Sequence, residues 1–282
     1  MKVLVFGKNG QVATELAEFD GVTCLGRDQV DLTDPGACEA IIASTDANAV
    51  INAAAYTNVD GAEEDRGTVM IINAIAPTAM ATAAAKRGIP FVHISTDYVF
   101  DGAGNEPFTP IDIPSPQNIY GKSKHAGEHG VVSAGGAYAV LRTSWVFSAH
   151  GTNFLKTMMR LGADRHALRI VADQVGGPTP AKDIAAACMT MAHVLMDNPS
   201  AAGLYHFSGA PDVSWADFAR EFFKQADLDV VVTNILTSEY YTHAQRPLNS
   251  RLDCSTTHTV FGIERPDWRV AMTHVIAELN KT

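Results

Sequence analysis

Tyr120 and Lys124 are the two residues whose types and spacing most directly suggest chemistry, in the segment Tyr120-Gly121-Lys122-Ser123-Lys124. A spacing of four places a phenol and an ammonium on one face of a helix. A free tyrosine has a pKa near ~10, and a nearby ammonium favours the phenolate and lowers that pKa. The pair therefore predicts an acid–base group that could protonate an oxygen as negative charge develops on it.

Two hydroxyl side chains offer a partner for that tyrosine. Ser95-Thr96-Asp97 follows the apolar run 91–94, which predicts a buried strand. In an open parallel sheet, ligands bind at the carboxyl ends of the strands. A hydroxyl there could hydrogen-bond a substrate carbonyl together with Tyr120. Ser95 and Thr96 both qualify, and the residues themselves do not choose between them.

A glycine turn near the N-terminus predicts a phosphate site. Gly7-x-x-Gly10-x-x-Ala13 lies between an apolar strand pattern and a helix pattern, where backbone N–H groups can meet an anion. After the second strand pattern comes Arg27 and then Asp28. Because arginine suits a 2′-phosphate and an acidic residue suits a ribose hydroxyl, this order favours NADP(H), with NAD(H) as the alternative.

The elements that must position these residues alternate between strand and helix. Such alternation predicts crossover connections, a parallel sheet and an α/β fold: a Rossmann-type doubly wound sheet with a smaller C-terminal α+β substrate domain. We place the boundary near residue 147, giving a dinucleotide-binding domain 1–147 and a mainly substrate-binding domain 148–282, with later segments returning to the first. The predicted strands cover 2–6, 22–25, 49–54, 91–94 and 138–146, and the predicted helices 11–19, 37–42, 77–86, 119–132, 153–161, 181–196, 214–225 and 267–279.

Composition narrows the class of protein. The 282 residues are 46% hydrophobic and carry a net charge of −10, which favours a folded globular chain and disfavours nucleic acid or an anionic membrane as partner. The longest nearly apolar run, 184–196, is too short to cross a bilayer, and the N-terminus has no secretory pattern. The four cysteines show no CxxC spacing and the ten histidines no metal-binding spacing. We expect a cytoplasmic protein without a metal site.

Longer sequence segments make the prediction of function more specific. They resemble the signature segments of the extended short-chain dehydrogenase/reductases, and within them the dTDP-4-dehydrorhamnose reductase family. The resemblance runs in family order through 6–12, 52–60, 95–100, 120–124, 142–146 and 249–253, and so covers nearly the whole chain.

The resemblance implies a reaction and roles for residues. The family reduces the C4 keto group of dTDP-4-dehydro-L-rhamnose with a nicotinamide hydride, and its catalytic residues fall on Thr96, Tyr120 and Lys124, with Tyr120 as proton donor. Substrate contacts would come from Asp97, Trp145, Asn153 and Arg246, the last for the diphosphate. Residues at the cofactor would be Gly7, Asn9, Gly10, Gln11, Val12, Arg27, Asp31, Leu32, Ala53, Ala54, Ala55 and Tyr56, together with Tyr120 and Lys124.

Two alternatives remain. A relative could reduce another nucleotide-linked 4-keto-6-deoxy sugar, of the dihydrostreptose or 6-deoxy-talose type, with the same catalytic residues. A non-catalytic NADP-binding regulatory subunit is the second.

One departure from the family pattern concerns a metal. Some of these reductases hold Mg²⁺ at a dimer contact with carboxylates from the first helix and from the helix after the Pro-Thr segment. Glu15 matches the first, but Lys182 stands where the second would be, with Asp183 beside it. Because an ammonium cannot ligate a cation, we expect no structural Mg²⁺; a homodimer stays open.

Overall fold

The computed structural model describes residues 1–281, within which there are thirteen strands and ten α-helices. The strands are β1 (Val3–Phe6), β2 (Val22–Leu25), β3 (Ala49–Asn52), β4 (Phe91–Thr96), β5 (Tyr138–Thr143), β6 (Val146–Phe147), β7 (Ala167–Val171), β8 (Val175–Gly176), β9 (Thr179–Pro180), β10 (Gly203–His206), β11 (Val213–Ser214), β12 (Val231–Ile235) and β13 (Asn249–Ser250). The helices are α1 (Gln11–Leu16), α2 (Pro35–Ser44), α3 (Arg66–Met70), α4 (Ala76–Arg87), α5 (Ile119–Ala134), α6 (Phe154–Asp164), α7 (Ala181–Asp197), α8 (Trp215–Gln225), α9 (Ser255–Phe261) and α10 (Trp268–Leu279).

Six parallel strands form the central sheet, in the order β10-β5-β4-β3-β1-β2. The chain moves outward in one direction from β1 to β2 and in the other from β3 onward, so the order reverses between β1 and β3. Ligands bind at such a reversal, beyond the carboxyl ends of the strands. The predicted Rossmann-type parallel sheet is confirmed.

Each face of this sheet is covered by helices, which explains why its strands are apolar at consecutive positions. Val3, Val5 and Ile51 pack toward α1 and α7, and Leu4 and Phe6 pack toward the opposite layer of α2, α4 and α5. Each such buried aliphatic side chain contributes about 1.5–3 kcal/mol. The two layers hold the carboxyl ends of the strands in a fixed arrangement.

A second core lies in the C-terminal half. The parallel pair β7 and β12 packs with α6, α8 and α10 around aromatic side chains that include Phe147, Phe218, Phe222 and Trp268. Helix α7 and strand β10, although late in the sequence, belong to the central sheet and its core.

The helical stretch 66–87 joins α3 and α4 through a π-helical turn at Ile71–Ile75. It is long and apolar enough to cross a membrane by length and composition, but 56% of its apolar window is buried inside the protein. Its alanines pack against α2 and α5, so burial in this core accounts for its apolar character.

The strand predicted over 138–146 is broken. β5 ends at Thr143 and β6 begins at Val146, because Trp145 adopts a φ of 50°. This left-handed conformation is unfavourable for a large side chain and marks a constrained turn.

Candidate active site

Helix α5 begins where its first turn can meet the end of β4. The Asn118 side chain caps the helix by accepting a hydrogen bond from Gly121 N at 2.8 Å, and it donates to the Gln245 carbonyl at 2.8 Å. Glu63 accepts from the Ile119 N–H at 2.8 Å. A local cap and two distant segments therefore fix the start of the helix that carries Tyr120 and Lys124.

Gly121 lets α5 approach the turn after β4. A Cβ atom at this position would lie 2.2 Å from the Tyr98 carbonyl oxygen, closer than any side chain tolerates. The close approach brings the Tyr120 ring edge-on to the Tyr98 ring, with centroids 5.6 Å apart.

The Tyr120 phenol lies close enough to the Thr96 hydroxyl to interact with it. Burial raises the pKa of Tyr120 above its ordinary value, and the Thr96 hydroxyl offsets part of that rise. The lowering of the Tyr120 pKa that we expected from Lys124 is therefore not seen in the protein without ligands, because loss of solvation outweighs the other influences. A phenol that stays protonated at neutral pH suits a proton donor.

Lys124 is 2% exposed, and its amine donates to the Ile94 carbonyl at 2.7 Å. His93 Nε2 lies 3.3 Å from the same nitrogen. Burial lowers the pKa of Lys124 to about 8, and the Glu128 carboxylate on the next turn opposes this shift.

The structure separates Ser95 from Thr96. Successive strand residues point to opposite sides. The Ser95 hydroxyl donates to Glu128 at 2.5 Å, within a buried ion pair that Glu128 makes with Arg142 at 2.7 Å. Thr96 contacts Asp97 Oδ1 at 3.1 Å and Tyr120. Ser95 is thus part of the support of α5, and Thr96 lies at the candidate site.

Two buried polar atoms beside Thr96 have no hydrogen-bond partner, and over residues 1–281 they are the only such side-chain atoms: Asp97 Oδ2 and Thr143 Oγ1. Thr143 is the register partner of Thr96 on β5. Burial raises the pKa of Asp97 to about 6, with hydrogen bonds from Ser250 and Thr96 opposing the rise. Unpaired buried polar atoms are costly, so both are suited to meet a ligand.

Thr143 was not singled out in the sequence. One signal was available: a threonine closes β4 and another closes its neighbour β5, and parallel strands end at the same edge.

Most of the predicted cofactor residues surround one groove at the reversal of strand order. Gly7 has a φ of 120°, and a Cβ there would come within 3.3 Å of the Ala53 carbonyl carbon. Gly10 precedes α1 with open space around it and no side-chain cap. An anion can approach the free N–H groups of this turn. The groove is lined by Gly7, Lys8, Asn9, Leu25, Gly26, Arg27, Val30, Asp31, Leu32, Ala54, Ala55, Tyr56 and Ile72.

The remaining predicted cofactor residues lie next to this groove without lining it. Val12 is buried in the core, and Ala53 directly follows β3 and lies beneath Gly7. The Gln11 side chain turns away, donating to the Val146 carbonyl at 3.3 Å.

Lys8 is a cation of the groove that the sequence did not reveal. It lines the groove with Arg27, and its side chain lies over Gly26. The half-buried Asp31 carboxylate, whose pKa is lowered mainly by the Thr33 N–H, lies at the same end of the groove. Two cations and a carboxylate form a charged end of the groove, where a phosphate could be bound.

Trp145 is stacked on Trp215, with ring centroids 3.5 Å apart and planes at 7°. A Cβ on Gly176 would lie 3.1 Å from the Trp145 ring, so the indole also needs a glycine beside it. The Trp215 Nε1 donates to Gln174 at 3.2 Å, which fixes the supporting ring. The stack pre-organises Trp145 at the constrained turn.

Arg246 reaches across the chain to the turn after β4. Its guanidinium pairs with Asp60, 186 residues away in the sequence, and Nη1 lies 3.4 Å from the Tyr98 hydroxyl. The side chain is 18% exposed, so it is partly available to a ligand.

Asn153 is occupied by the protein. Its oxygen caps α6 by accepting from Lys156 N at 3.0 Å, and its amide donates to Gln11 and the Ser148 carbonyl, each at 2.8 Å. Asn153 and Gln11 are thus hydrogen-bonded to each other, away from Thr96 and Tyr120 in the hydrogen-bond pattern.

Two further arginines of the C-terminal half are held by the protein itself. Arg265 donates to the Ser208 carbonyl and pairs with Asp212. Arg251 donates to Asn249 Oδ1 at 3.0 Å.

Glu15, the one carboxylate that matches the family's Mg²⁺ site, lies near Glu278 at the side chain of His150. Their carboxylates are 3.4 Å and 3.7 Å from His150 Nε2. Burial raises the pKa of Glu15, and Lys182 is close enough to lower it. Within the described part of the chain, no group of three or more His, Cys, Asp or Glu residues could hold a metal ion. A nearby ammonium makes this a poor cation site, and the absence of Mg²⁺ stays a prediction.

The fold and the site together define the class: a Rossmann-type NAD(P)H-dependent oxidoreductase. Residues 1–281 match the family model described as the RmlD substrate binding domain. The chain is 42% identical to the dTDP-4-dehydrorhamnose reductase of Sinorhizobium fredii, over 95% of this chain and 94% of the relative. The chain therefore belongs to the dTDP-4-dehydrorhamnose reductase family.

Solved structures agree. A Clostridium acetobutylicum dTDP-4-dehydrorhamnose reductase superposes with a TM-score of 0.92 at 36% identity, covering 99% of this chain and all of that chain. The Bacillus anthracis dTDP-4-dehydrorhamnose reductase, solved in complex with NADP, superposes with a TM-score of 0.90 at 34% identity, over 99% of this chain and 100% of that one.

Proposed function

We propose that the protein reduces the C4 keto group of dTDP-4-dehydro-L-rhamnose to a hydroxyl, giving dTDP-L-rhamnose, with NADPH as reductant. The observation that carries the proposal is the meeting of the Tyr120 phenol, the Thr96 hydroxyl and the unpaired Asp97 Oδ2 at the end of β4. Family membership supplies the class of substrate.

The groove at the strand reversal fits NADP(H). The Gly7 turn would receive the diphosphate, because Gly10 has open space around it and α1 begins without a side-chain cap, so backbone N–H groups are free to meet an anion. Arg27 and Lys8 would hold the 2′-phosphate, and Lys124 would bond the nicotinamide ribose. Bound NADPH supplies the hydride for the sugar carbon.

The chain's own residues handle the proton. The Tyr120 hydroxyl donates its proton to the sugar oxygen as negative charge develops there, and Thr96 orients the phenol and the carbonyl. The ammonium form of Lys124 stabilises the phenolate that remains. The raised pKa of Tyr120 keeps the proton in place until the sugar oxygen can accept it.

Substrate recognition would involve three side chains around this point. Asp97 accepts from a sugar hydroxyl with its free oxygen. Trp145, held flat by Trp215, packs against the sugar. Arg246 binds the diphosphate with the N–H groups that Asp60 leaves free.

The deciding experiment mixes purified protein, NADPH and a panel of dTDP-4-keto-6-deoxy sugars, and follows NADPH absorbance with analysis of the product. We expect turnover with dTDP-4-dehydro-L-rhamnose and formation of dTDP-L-rhamnose. Faster turnover of a dihydrostreptose- or talose-type precursor would reassign the substrate. NADP(H) binding without turnover of any sugar would favour a regulatory subunit and refute the enzyme proposal.

Two variants test the assigned roles. Tyr120→Phe should lower kcat by about 10²–10⁴ while NADPH binding is retained, because only the proton donor is removed. Arg27→Ala should raise the KM for NADPH more than that for NADH. Retained kcat in the first variant, or equal effects on the two cofactors in the second, would contradict the assignment.

A further inference from the structure

A buried chain of polar groups leads from the end of β3 to the amine of Lys124. Ala54 N donates to Asn52 Oδ1 at 3.2 Å, and Asn52 Nδ2 lies 3.1 Å from His93 Nδ1. His93 Nε2 lies 3.3 Å from Lys124 Nζ. Asn52 and His93 are register partners on β3 and β4, and both side chains are buried.

The donors in this chain determine the imidazole tautomer. Because the Asn52 oxygen accepts from Ala54, its NH₂ group faces His93, and Nδ1 must accept. A neutral imidazole carries one proton, which therefore lies on Nε2. His93 is neutral, since burial together with the Lys124 charge holds its pKa well below the ordinary value.

This tautomer matches only one protonation state of Lys124. An ammonium has three donors and no acceptor, so it places its N–H against the His93 Nε2–H. The neutral amine has a lone pair, which accepts from Nε2–H while the amine still donates to the Ile94 carbonyl at 2.7 Å. The chain of hydrogen bonds is complete only when Lys124 has lost a proton.

We infer that His93, held in its Nε2–H tautomer by Asn52, is a positioning residue that hydrogen-bonds the neutral amine of Lys124 and readies this lysine to release a proton. The inference rests on the proposed function: after Tyr120 has protonated the sugar oxygen, Lys124 restores the phenol proton and becomes the neutral amine. His93 keeps its own proton throughout, so the only net loss is one proton from Lys124.

The surroundings of Lys124 favour its charged form in one place and its neutral form in another. Glu128 on the same helix favours the ammonium, and burial favours the amine. Arg142 on β5 is paired with Glu128. Tyr120, one turn before Lys124 on α5, has Asp97 and Tyr98 as titratable neighbours. His93 is the uncharged member that donates to the amine.

The test uses the full-length protein alone, by NMR. With ¹⁵N-labelled histidine, we expect His93 to show a protonated Nε2 and an unprotonated Nδ1. With ¹³C-labelled lysine, Lys124 should titrate below an ordinary lysine. Asn52→Leu removes the donor to Nδ1, frees the other tautomer to accept from the ammonium, and should raise the Lys124 titration midpoint by about one pH unit.

A matched control is Phe91→Leu, because Phe91 stacks on His93 at 6.3 Å between ring centroids without joining the hydrogen-bond chain. It should leave the Lys124 titration unchanged. In activity assays, the alkaline limb of the kcat–pH profile should move to higher pH in Asn52→Leu and should not move in Phe91→Leu.

The wild-type tautomer needs no variant, so misfolding of one cannot obscure the result. A proton on Nδ1 of His93, or an equal Lys124 titration in wild type and Asn52→Leu, would overturn the inference. If the NMR results hold and no dTDP sugar is reduced, the substrate proposal fails while the His93–Lys124 hydrogen bond stands.

Discussion

The close approach of α5 to the turn after β4 predicts a large kinetic effect from adding a single methyl group. In Gly121→Ala, the new Cβ would lie 2.2 Å from the Tyr98 carbonyl oxygen, roughly 1 Å short of ordinary contact. The obstacle is backbone, so the start of α5 must move outward and carry Tyr120 away from Thr96. A misplacement of about 1 Å can cost about 10²-fold in rate.

We therefore expect kcat to fall by about 10²-fold and the free energy of unfolding to fall by about 1–3 kcal/mol, the usual cost of overpacking. NADPH oxidation measures the first and urea denaturation the second, both under conditions where the variant is fully folded. Gly67→Ala is the matched control, because Gly67 is also helical and a Cβ there meets nothing within 4 Å. A folded Gly121→Ala protein with wild-type kcat would show that the position of α5 does not control the reaction.

Three further outcomes follow from buried or paired charges. Burial raises the pKa of Asp97 to about 6, so ionisation of this carboxyl lowers the stability of the protein as pH rises through roughly 4 to 6. Asp97→Asn should therefore raise the free energy of unfolding at pH 7 by on the order of 2 kcal/mol, measured by urea denaturation. A variant with the same dependence of stability on pH as the wild type would contradict this. Glu128→Gln leaves the Arg142 charge buried without its partner and should lower stability by about 3–5 kcal/mol in the same assay, whereas a loss below about 1 kcal/mol would mean that the pair is dispensable. Arg246→Ala should raise the KM for the sugar nucleotide with the KM for NADPH unchanged, and equal KM values for the sugar nucleotide in variant and wild type would remove Arg246 from the diphosphate site.

The local patterns predicted the Rossmann-type sheet because alternating apolar strands and helices are a property of neighbouring residues. The same patterns could not choose between Ser95 and Thr96, since that choice depends on which side of β4 faces Glu128. The break at Trp145 was also missed, because its left-handed backbone accompanies stacking on Trp215, a contact with a residue 70 positions later.

Contacts between distant segments of the chain could not be predicted from the sequence. The Asn52–His93 hydrogen bond depends on the register of β3 against β4, and apolar runs of this kind do not determine register. The Asp60–Arg246 pair joins segments 186 residues apart. By contrast, the Tyr120–Lys124 pair lies within one helix, so its spacing alone was informative.

The position of β10 and α7 in the central sheet affects how the protein is made. A ribosome that has released residues 1–147 has supplied five of the six strands, but only α1 of the two helices that cover Val3, Val5 and Ile51. The rest of that apolar face stays uncovered until α7 and β10, ending at His206, have emerged. The central sheet is therefore the first part to be synthesised but is completed only after the intervening segment 148–180, which leaves the nascent chain exposed to aggregation and to chaperones during that interval.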